Sequence, residues 1–311
     1  MPESSVFDVH CHFVPSATRE YLAEHPDIEL TERGVVRGPA VLPLPPRLSD
    51  RDAFDAHLAP LAGAVVAPPP ALYLEDVPGL APRLNTDLAD FARGRPGCGV
   101  LGWLPLSSPD AAVAEARRLA ADPTVVGVVI GTAIGAAVAD PALDPVWSAL
   151  ADARFGLFVH PDGDPFDARF RPLPNPSTVG FPASTTAVAV ALLAGADGFW
   201  RSGVGVCLPH GGGFLPMAVG RVIRADPAAS ARIGERLGRI WVDGVVFGDG
   251  LLDAAAGCVG AGHVLSGSDW PFPLSLSARE LLAQRAGTES IAGQAAAWCP
   301  RLIPATNGAD T

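Results

Sequence analysis

Eight short apolar runs that alternate with amphipathic helical patterns predict an α/β fold, a closed (β/α)8 barrel of the TIM type. The chain has 311 residues, 49% of them hydrophobic, which is enough for one large core. Continuous apolar strands that alternate with helices indicate a parallel sheet covered on both faces. An open doubly wound sheet is the alternative, but no GxGxxG motif follows the first strand, where dinucleotide binding would need it. We expect one barrel domain over residues 1–311, with an insert at 15–48 that covers the active site.

The elements are predicted in chain order from the apolar runs and their breaks. The first strand is expected at 6–13, and the insert, rich in proline, glycine and charge, predicts a small hairpin around 34–37. A helix follows at 50–58 with Ser49 as its N-cap, and a loose tail is expected from Ile303 to Thr311. The other strands are predicted at 61–67, 98–104, 125–131, 155–160, 203–210, 239–246 and 262–268. The other helices are predicted at 80–94, 110–121, 145–153, 183–195, 215–225, 249–258 and 277–286.

Composition excludes several classes of partner and location. The net charge is −11 and there is no basic run, so no nucleic-acid partner is expected. The chain opens with an acidic, polar stretch unlike a signal peptide, and no apolar run is judged long enough to span a membrane. The five cysteines form no CxxC pair, which favours a reduced, cytoplasmic protein.

The absence of lysine restricts the chemistry. All 22 basic side chains are arginine, so a lysine Schiff base is excluded. A bridging carboxylated lysine, which many two-metal hydrolases need, is excluded as well. Any metal site is therefore expected to be mononuclear.

Two histidines in the first strand predict a metal site. His10 and His12 are two residues apart, so they share one face of the strand, about 6.5–7 Å apart. Imidazoles at that separation can lean towards one ion, with metal–nitrogen distances of about 2.0–2.1 Å. A strand with two chance polar residues is the alternative, but two buried imidazoles without partners would be costly.

Other polar residues end later strands at the same predicted rim, where barrel enzymes hold their active sites. His160 ends the fifth strand, His210 the sixth and Asp269 the eighth. Three histidine nitrogens and a carboxylate suit zinc or another divalent transition metal. The remaining histidines are expected to have structural or surface roles: His25, His57 and His263.

Four motifs together resemble the amidohydrolase-related metal-dependent decarboxylases, most closely the aminocarboxymuconate semialdehyde decarboxylase branch. They are Asp8-Val9-His10-Cys11-His12, His160-Pro161, His210-Gly211-Gly212-Gly213 and Gly267-Ser268-Asp269-Trp270-Pro271-Phe272-Pro273. The resemblance runs from the first strand to the eighth. Gly213 stands where decarboxylases of the resorcylate type tend to carry a glutamate, so the aromatic-acid branch is less well supported.

The resemblance implies roles for individual residues. One Zn²⁺ per chain would be held by His10, His12, His160 and Asp269, and His210 would be the acid/base beside it. Arg37 in the insert would bind a substrate carboxylate, with Arg47 and Arg51 as competitors. Arg221 would reach the pocket of a neighbouring subunit, which implies a homodimer. Asp243 is a candidate for orienting His210 or a water, and Trp270 for walling the pocket.

The expected function is a zinc-dependent, non-oxidative decarboxylase of a small unsaturated or aromatic carboxylic acid, in which metal-bound water, His210 and Asp269 do the chemistry. The same groups would also suit a metal-dependent hydrolase of an amide or lactone, or a hydratase of a double bond. A barrel that uses its metal only structurally is a third alternative, and the presence of His210 argues against it.

Overall fold

Eight parallel strands form the central sheet of the computed structural model, which describes residues 6–37, 40–162, 173, 175–284 and 291–302. In chain order the described strands are β1 (Phe7–His12), β2 (Glu29–Thr31), β3 (Gly34–Arg37), β4 (Ala40–Pro43), β5 (Gly63–Ala67), β6 (Cys98–Trp103), β7 (Val125–Gly131), β8 (Gly156–His160), β9 (Val206–Leu208), β10 (Ile240–Asp243) and β11 (Val264–Leu265). Neighbouring strands in the central sheet follow the order β1, β5, β6, β7, β8, β9, β10 and β11.

Hydrogen bonds between the first strand and the chain just after the last one close the sheet into a barrel. The Val9 amide donates to the Ser266 carbonyl at 2.8 Å, and the His12 amide donates to the Trp270 carbonyl at 2.8 Å. Cys11 and Trp270 form a parallel bridge. The (β/α)8 barrel is therefore confirmed, and all eight predicted strands are present.

Helices connect and cover the strands as predicted, with four additions. The predicted helices are present as α2 (Arg51–Leu58), α3 (Leu80–Ala92), α4 (Pro109–Ala120), α5 (Asp144–Asp152), α6 (Ser177–Ala194), α8 (Leu215–Ala225), α10 (Asp249–Val259) and α11 (Ala278–Gln284). Four further helices among the described residues were not predicted: α1 (Ser16–Glu24), α7 (Asp197–Ser202), α9 (Ser230–Leu237) and α12 (Ile291–Trp298). The expected tail at 303–311 lies outside the described residues.

The N-cap of α2 is Asp50, so the prediction of Ser49 is wrong. The Asp50 carboxylate accepts the Ala53 amide at 2.9 Å, as an N-cap side chain does. Ser49 instead ends a 3₁₀ turn, and its hydroxyl accepts a hydrogen bond from the Arg19 guanidinium. Because the 3₁₀ turn includes Ser49, the N-cap of α2 lies one residue later than predicted, at Asp50.

The insert folds as a three-stranded antiparallel sheet rather than a single hairpin. β3 lies between β2 and β4. Val35 in β3 is completely buried and belongs to the same apolar cluster as Leu72, which follows β5. The insert is therefore packed against the chain at the carboxyl ends of the strands.

One described helix is long and apolar enough to cross a membrane, which corrects the expectation that no such run exists. This helix is α6, which contains no charged residue. It contacts α8 and α9 and buries Val188, Leu192 and Leu193, so it belongs to the helical layer of the barrel. A third of its residues are buried, and most of the others are half-buried.

Candidate metal centre

The four predicted metal ligands lie together at the carboxyl end of the barrel. His10 and His12 are in β1, and His160 is the last residue of β8. Asp269 lies beyond the short strand β11 rather than at its end. Its amide donates to the His10 carbonyl at 2.8 Å, which fixes the turn against β1. The four side chains are all buried, and one ligand atom from each lies within 4.8 Å of the others.

The imidazole Nε2 atoms face one another around a common point. The Nε2 atom of His10 is 3.2 Å from Nε2 of His12 and 3.0 Å from Nε2 of His160. The Oδ1 atom of Asp269 is 3.2 Å from Nε2 of both His10 and His12, and 4.0 Å from Nε2 of His160. These four atoms form a cage of the size that a single ion requires.

The opposite ring nitrogens are occupied, which sets the direction in which each imidazole points. Nδ1 of His10 is 2.6 Å from an Asp243 oxygen. Nδ1 of His12 is 3.3 Å from the Pro68 carbonyl, and Nδ1 of His160 is 2.8 Å from the Pro161 carbonyl. Because these partners are acceptors, each Nδ1 carries the proton and each Nε2 is free to bind a metal.

The donor set fits a divalent cation. Neutral imidazoles whose Nε2 atoms face one another cannot hydrogen-bond together, and Asp269 Oδ1 is buried with no hydrogen-bond partner among the described residues. A cation at the centre would satisfy all four atoms. A His/Asp metal-binding site is therefore present, and the four side chains that could hold the ion are His10, His12, His160 and Asp269.

When no cation is bound, one of the four side chains of the cage, His10, is protonated near pH 7. Burial lowers the pKa of His12 and His160, so both imidazoles are neutral near pH 7. Burial also opposes the charge of His10, but Asp269 and Asp243 outweigh it and raise the pKa of His10 to about 10. Burial would raise the pKa of Asp269, yet the neighbouring imidazoles, above all His10, hold it well below its usual range.

His210 lies beside the cage and not in it. Its Nε2 atom is 3.4 Å from Oδ2 of Asp269, the oxygen that does not face the three ligand imidazoles. Its Nδ1 atom is buried with no hydrogen-bond partner among the described residues. His210 has a φ of 55°, and the three glycines that follow it also have positive φ. The loop that carries the imidazole therefore lies in the left-handed backbone region, which is uncommon outside glycine.

Asp243 connects this loop to the cage. One oxygen binds Nδ1 of His10, and the other accepts the amides of Gly211 at 3.3 Å and Val245 at 3.1 Å. The predicted role of Asp243 is therefore corrected in part. It orients the ligand His10 and holds the backbone after His210, but it does not contact the His210 ring.

The predicted arginines do not contact the cage. Arg37 pairs with Asp76, at the rim next to β5. Arg221 is exposed on α8, about two turns from the helix start, as expected from its spacing. Arg47 lies over the ring of Trp270 at 5.9 Å, and Arg51 lies over a phenylalanine ring.

Aromatic side chains wall the site, but Trp270 is not among them. Phe158 lies 5.0 Å from the His10 ring, and Phe272 lies 5.3 Å from the His12 ring. The Trp270 ring is buried under α2 and packs against His57, so its role is packing. His57 itself is buried and bonded to Asp8, which agrees with the structural role expected for it.

A (β/α)8 barrel whose strand ends bring three histidines and an aspartate to one point is a metal-dependent barrel protein. The amidohydrolase family model matches residues 7–293. The chain therefore belongs to the amidohydrolase family.

Two relatives share the name 2-amino-3-carboxymuconate-6-semialdehyde decarboxylase. The one from Dictyostelium discoideum is 29% identical over 210 residues, which cover 64% of this chain and 58% of the relative. The one from Caenorhabditis elegans is 32% identical over 127 residues, which cover 38% of this chain and 32% of the relative. The chain thus spans less than two thirds of the length of either relative.

Solved structures share the fold over nearly the whole chain. The apo IDCase of Metarhizium anisopliae superposes with a TM-score of 0.74 at 24% identity, covering 97% of this chain and 95% of that one. The 5-carboxyvanillate decarboxylase of Novosphingobium aromaticivorans, solved with manganese, superposes with a TM-score of 0.70 at 18% identity, covering 98% and 95%. At these identities the likeness concerns the fold.

Proposed function

We propose that the protein is a metal-dependent, non-oxidative decarboxylase of a small unsaturated or aromatic carboxylic acid. The observation that carries this proposal is the position of His210. It contacts the outer oxygen of Asp269 while the inner oxygen and three imidazoles form the metal cage. A proton donor therefore stands directly beside the site where a substrate would bind. The decarboxylases among the relatives support the same reaction.

Decarboxylation needs a place for electrons and a proton for carbon. The bond between the substrate carbon and its carboxylate breaks, the electron pair stays on carbon, and CO₂ leaves. When bound, a divalent cation supplies Lewis-acid stabilisation of the negative charge that develops on the substrate. His210 donates a proton to the carbon that lost CO₂ and regains one from water.

Asp269 has two tasks in this proposal. Its Oδ1 atom faces the cage, and its Oδ2 atom orients the His210 ring. One carboxylate therefore fixes the distance between the metal site and the proton donor. Phe158 and Phe272 pack against the ligand imidazoles and exclude water from that side.

Zinc is the proposed cation, at one per chain. Three imidazole nitrogens and a carboxylate oxygen suit zinc, and manganese in a related fold makes it the main competitor. Purified protein should contain about one equivalent of metal by elemental analysis. His160→Ala and Asp269→Ala should each lose that metal, whereas His25→Ala, outside the cage, should retain it.

Arginines are proposed to bind the substrate carboxylate, because no other cationic side chain of fixed charge exists in the chain. Arg37 in β3 would exchange its partner Asp76 for the substrate. Arg221 would act on the site of a second copy, in a homodimer. Two exposed apolar side chains at the start of α8, Phe214 (40% exposed) and Met217 (72% exposed), support burial of this face against that copy.

The setting of the protein is also part of the proposal. The five cysteines are all free, as suits a reducing cytoplasm, and a location there is proposed. The barrel is proposed to be one domain, with the insert sheet as the cover of the site.

A metal-dependent hydrolase or hydratase remains the second candidate, because the same cage and His210 suit the addition of water. The test uses protein loaded with one equivalent of zinc, in deuterated water, with 2-amino-3-carboxymuconate semialdehyde and 5-carboxyvanillate as separate substrates. Release of CO₂ with one deuterium at the vacated carbon is the expected result. A product that gains water and keeps its carboxylate would contradict decarboxylation and support the second candidate.

A further inference from the structure

The buried histidine on α2, His57, belongs to a polar network under the metal cage. His57 is 7% exposed, and its Nε2 atom is 2.9 Å from Oδ2 of Asp8. Asp8 and Ser268 are completely buried. The Ser268 hydroxyl donates to the same Asp8 oxygen at 2.6 Å. None of these three side chains contacts the cage, so its chemistry does not explain them.

The other oxygen of Asp8 connects the two parts of the chain that carry the metal ligands. Asp8 Oδ1 accepts the His10 amide at 3.0 Å and the Ser268 amide at 3.0 Å. His10 is a ligand, and Ser268 immediately precedes the ligand Asp269. A single carboxylate oxygen therefore joins the backbone of β1 to the turn after β11.

The turn that carries Asp269 is also held by contacts of the next residue, Trp270. The Trp270 amide donates to the Ser268 hydroxyl at 3.0 Å, and the Trp270 ring stacks on the His57 ring with 5.5 Å between centroids. Asp269 lies between these two held residues, with a φ of 59°. Left-handed backbone is uncommon outside glycine, and the contacts of Ser268 and Trp270 hold Asp269 in it.

We propose that His57 is a positioning residue of the metal centre, which acts through Asp8 and Ser268 to set the approach of Asp269 to the metal. His57 supplies the second donor to Asp8 Oδ2 and packs against Trp270, so it fixes the carboxylate that ties the turn to β1. The inference rests on the metal site and not on the reaction that the site performs.

The substitutions at His57 are chosen to remove or to keep the N–H group that it donates to Asp8. His57→Met removes the N–H donor and replaces the imidazole with an apolar side chain of similar length. His57→Gln places an amide N–H where Nε2 stood, so it should preserve the bond to Asp8. Phe54→Leu is the matched control, because Phe54 is buried on the same helix and packs on Trp270 but has no polar contact with Asp8.

The readouts are the dissociation constant for zinc, measured against a chelator, and the absorption spectrum of the cobalt-substituted protein. His57→Met should weaken zinc binding by several-fold, less than the roughly 10–100-fold that loss of a direct partner of a metal ligand costs, and should change the cobalt spectrum. His57→Gln should bind zinc close to wild type. Phe54→Leu should lower the melting temperature and leave both metal readouts unchanged.

Ser268→Ala provides an independent arm if His57→Met fails to fold. It removes the other donor to Asp8 Oδ2 and should also weaken zinc binding. Where both single variants fold, the double variant should lose less binding free energy than the two losses added, because both act through one oxygen. Wild-type zinc affinity and cobalt spectrum in His57→Met or in Ser268→Ala, equal effects from Phe54→Leu, or full additivity would each overturn the proposal.

Discussion

At the scale of single residues, the three imidazoles of the cage differ in the group that binds their Nδ1 atoms. A carboxylate holds His10, whereas backbone carbonyls hold His12 and His160. A charged partner stabilises an imidazolium and a carbonyl does so much less. The three ligands, although chemically alike, therefore differ in their affinity for protons.

Metal binding should release a proton from His10. The pKa of about 10 means that His10 is protonated in the metal-free protein at pH 7, and a cation must displace that proton. Affinity for zinc should therefore rise about tenfold per pH unit between pH 7 and 9, because one proton is released per metal ion. Calorimetry in buffers of different ionisation enthalpy measures the number of protons. Release of none at pH 7 would contradict the assignment. Asp243→Asn removes one of the two carboxylates that raise the pKa of His10, so it should reduce the release most clearly near pH 9.

His210 should separate catalysis from metal binding. Since His210 stands outside the cage, His210→Asn should keep one metal per chain and lower turnover by roughly 10²–10⁴-fold, as loss of an acid/base does. Elemental analysis and steady-state kinetics measure the two effects. His25→Asn is the control, because His25 bonds only near the surface, and it should be fully active. Loss of the metal in His210→Asn would instead make His210 a ligand.

At the scale of elements, the sequence predicted the strands better than the turns that follow them. Eight apolar runs identified eight strands, because burial on both faces leaves few polar positions. The turn that carries Asp269 lies four residues beyond β11, and no pattern in the sequence sets its left-handed backbone. The helix α7 was missed because six residues give little periodicity.

The glycine-rich loop after His210 should tolerate no side chain at Gly213. A Cβ there would lie 2.4 Å from the Pro182 carbonyl, and the φ of 63° disfavours other residues. Gly213→Ala should therefore lower the free energy of unfolding by about 1–3 kcal/mol and reduce turnover by displacing His210. Gly220→Ala is the matched control on α8, where a Cβ meets nothing within 4 Å, and it should be neutral or stabilising. Denaturant unfolding and kinetics compare the two, and equal stability would contradict the strain.

At the scale of the whole molecule, the strand-end rule placed the cage correctly, whereas side chains from the insert and helices were not predictable. His10, His160 and Asp269 met because parallel strands end at one rim. The pairing of Arg37 with Asp76 depends on how a three-stranded insert packs, which no short motif encodes. His57 resembled an ordinary helix residue because its partner Asp8 is distant in sequence.

Assembly provides the prediction at this scale. If Arg221 serves the site of a second copy, Arg221→Ala and His210→Ala should each be inactive alone, and mixing them should restore activity. The reason is that one of the two sites in a hybrid dimer keeps both wild-type groups. Activity is assayed after subunit exchange has been verified with differently labelled chains. Full activity of Arg221→Ala, or no recovery after exchange, would contradict sharing between subunits.

The closure of the barrel also has a consequence for how the protein is made. The cage joins residues of the first strand to Asp269 beyond the last, through hydrogen bonds between the two edges of the sheet. A chain still on the ribosome therefore has no complete cage until its eighth strand has emerged. Tight metal binding by all four side chains therefore has to follow synthesis of nearly the whole barrel.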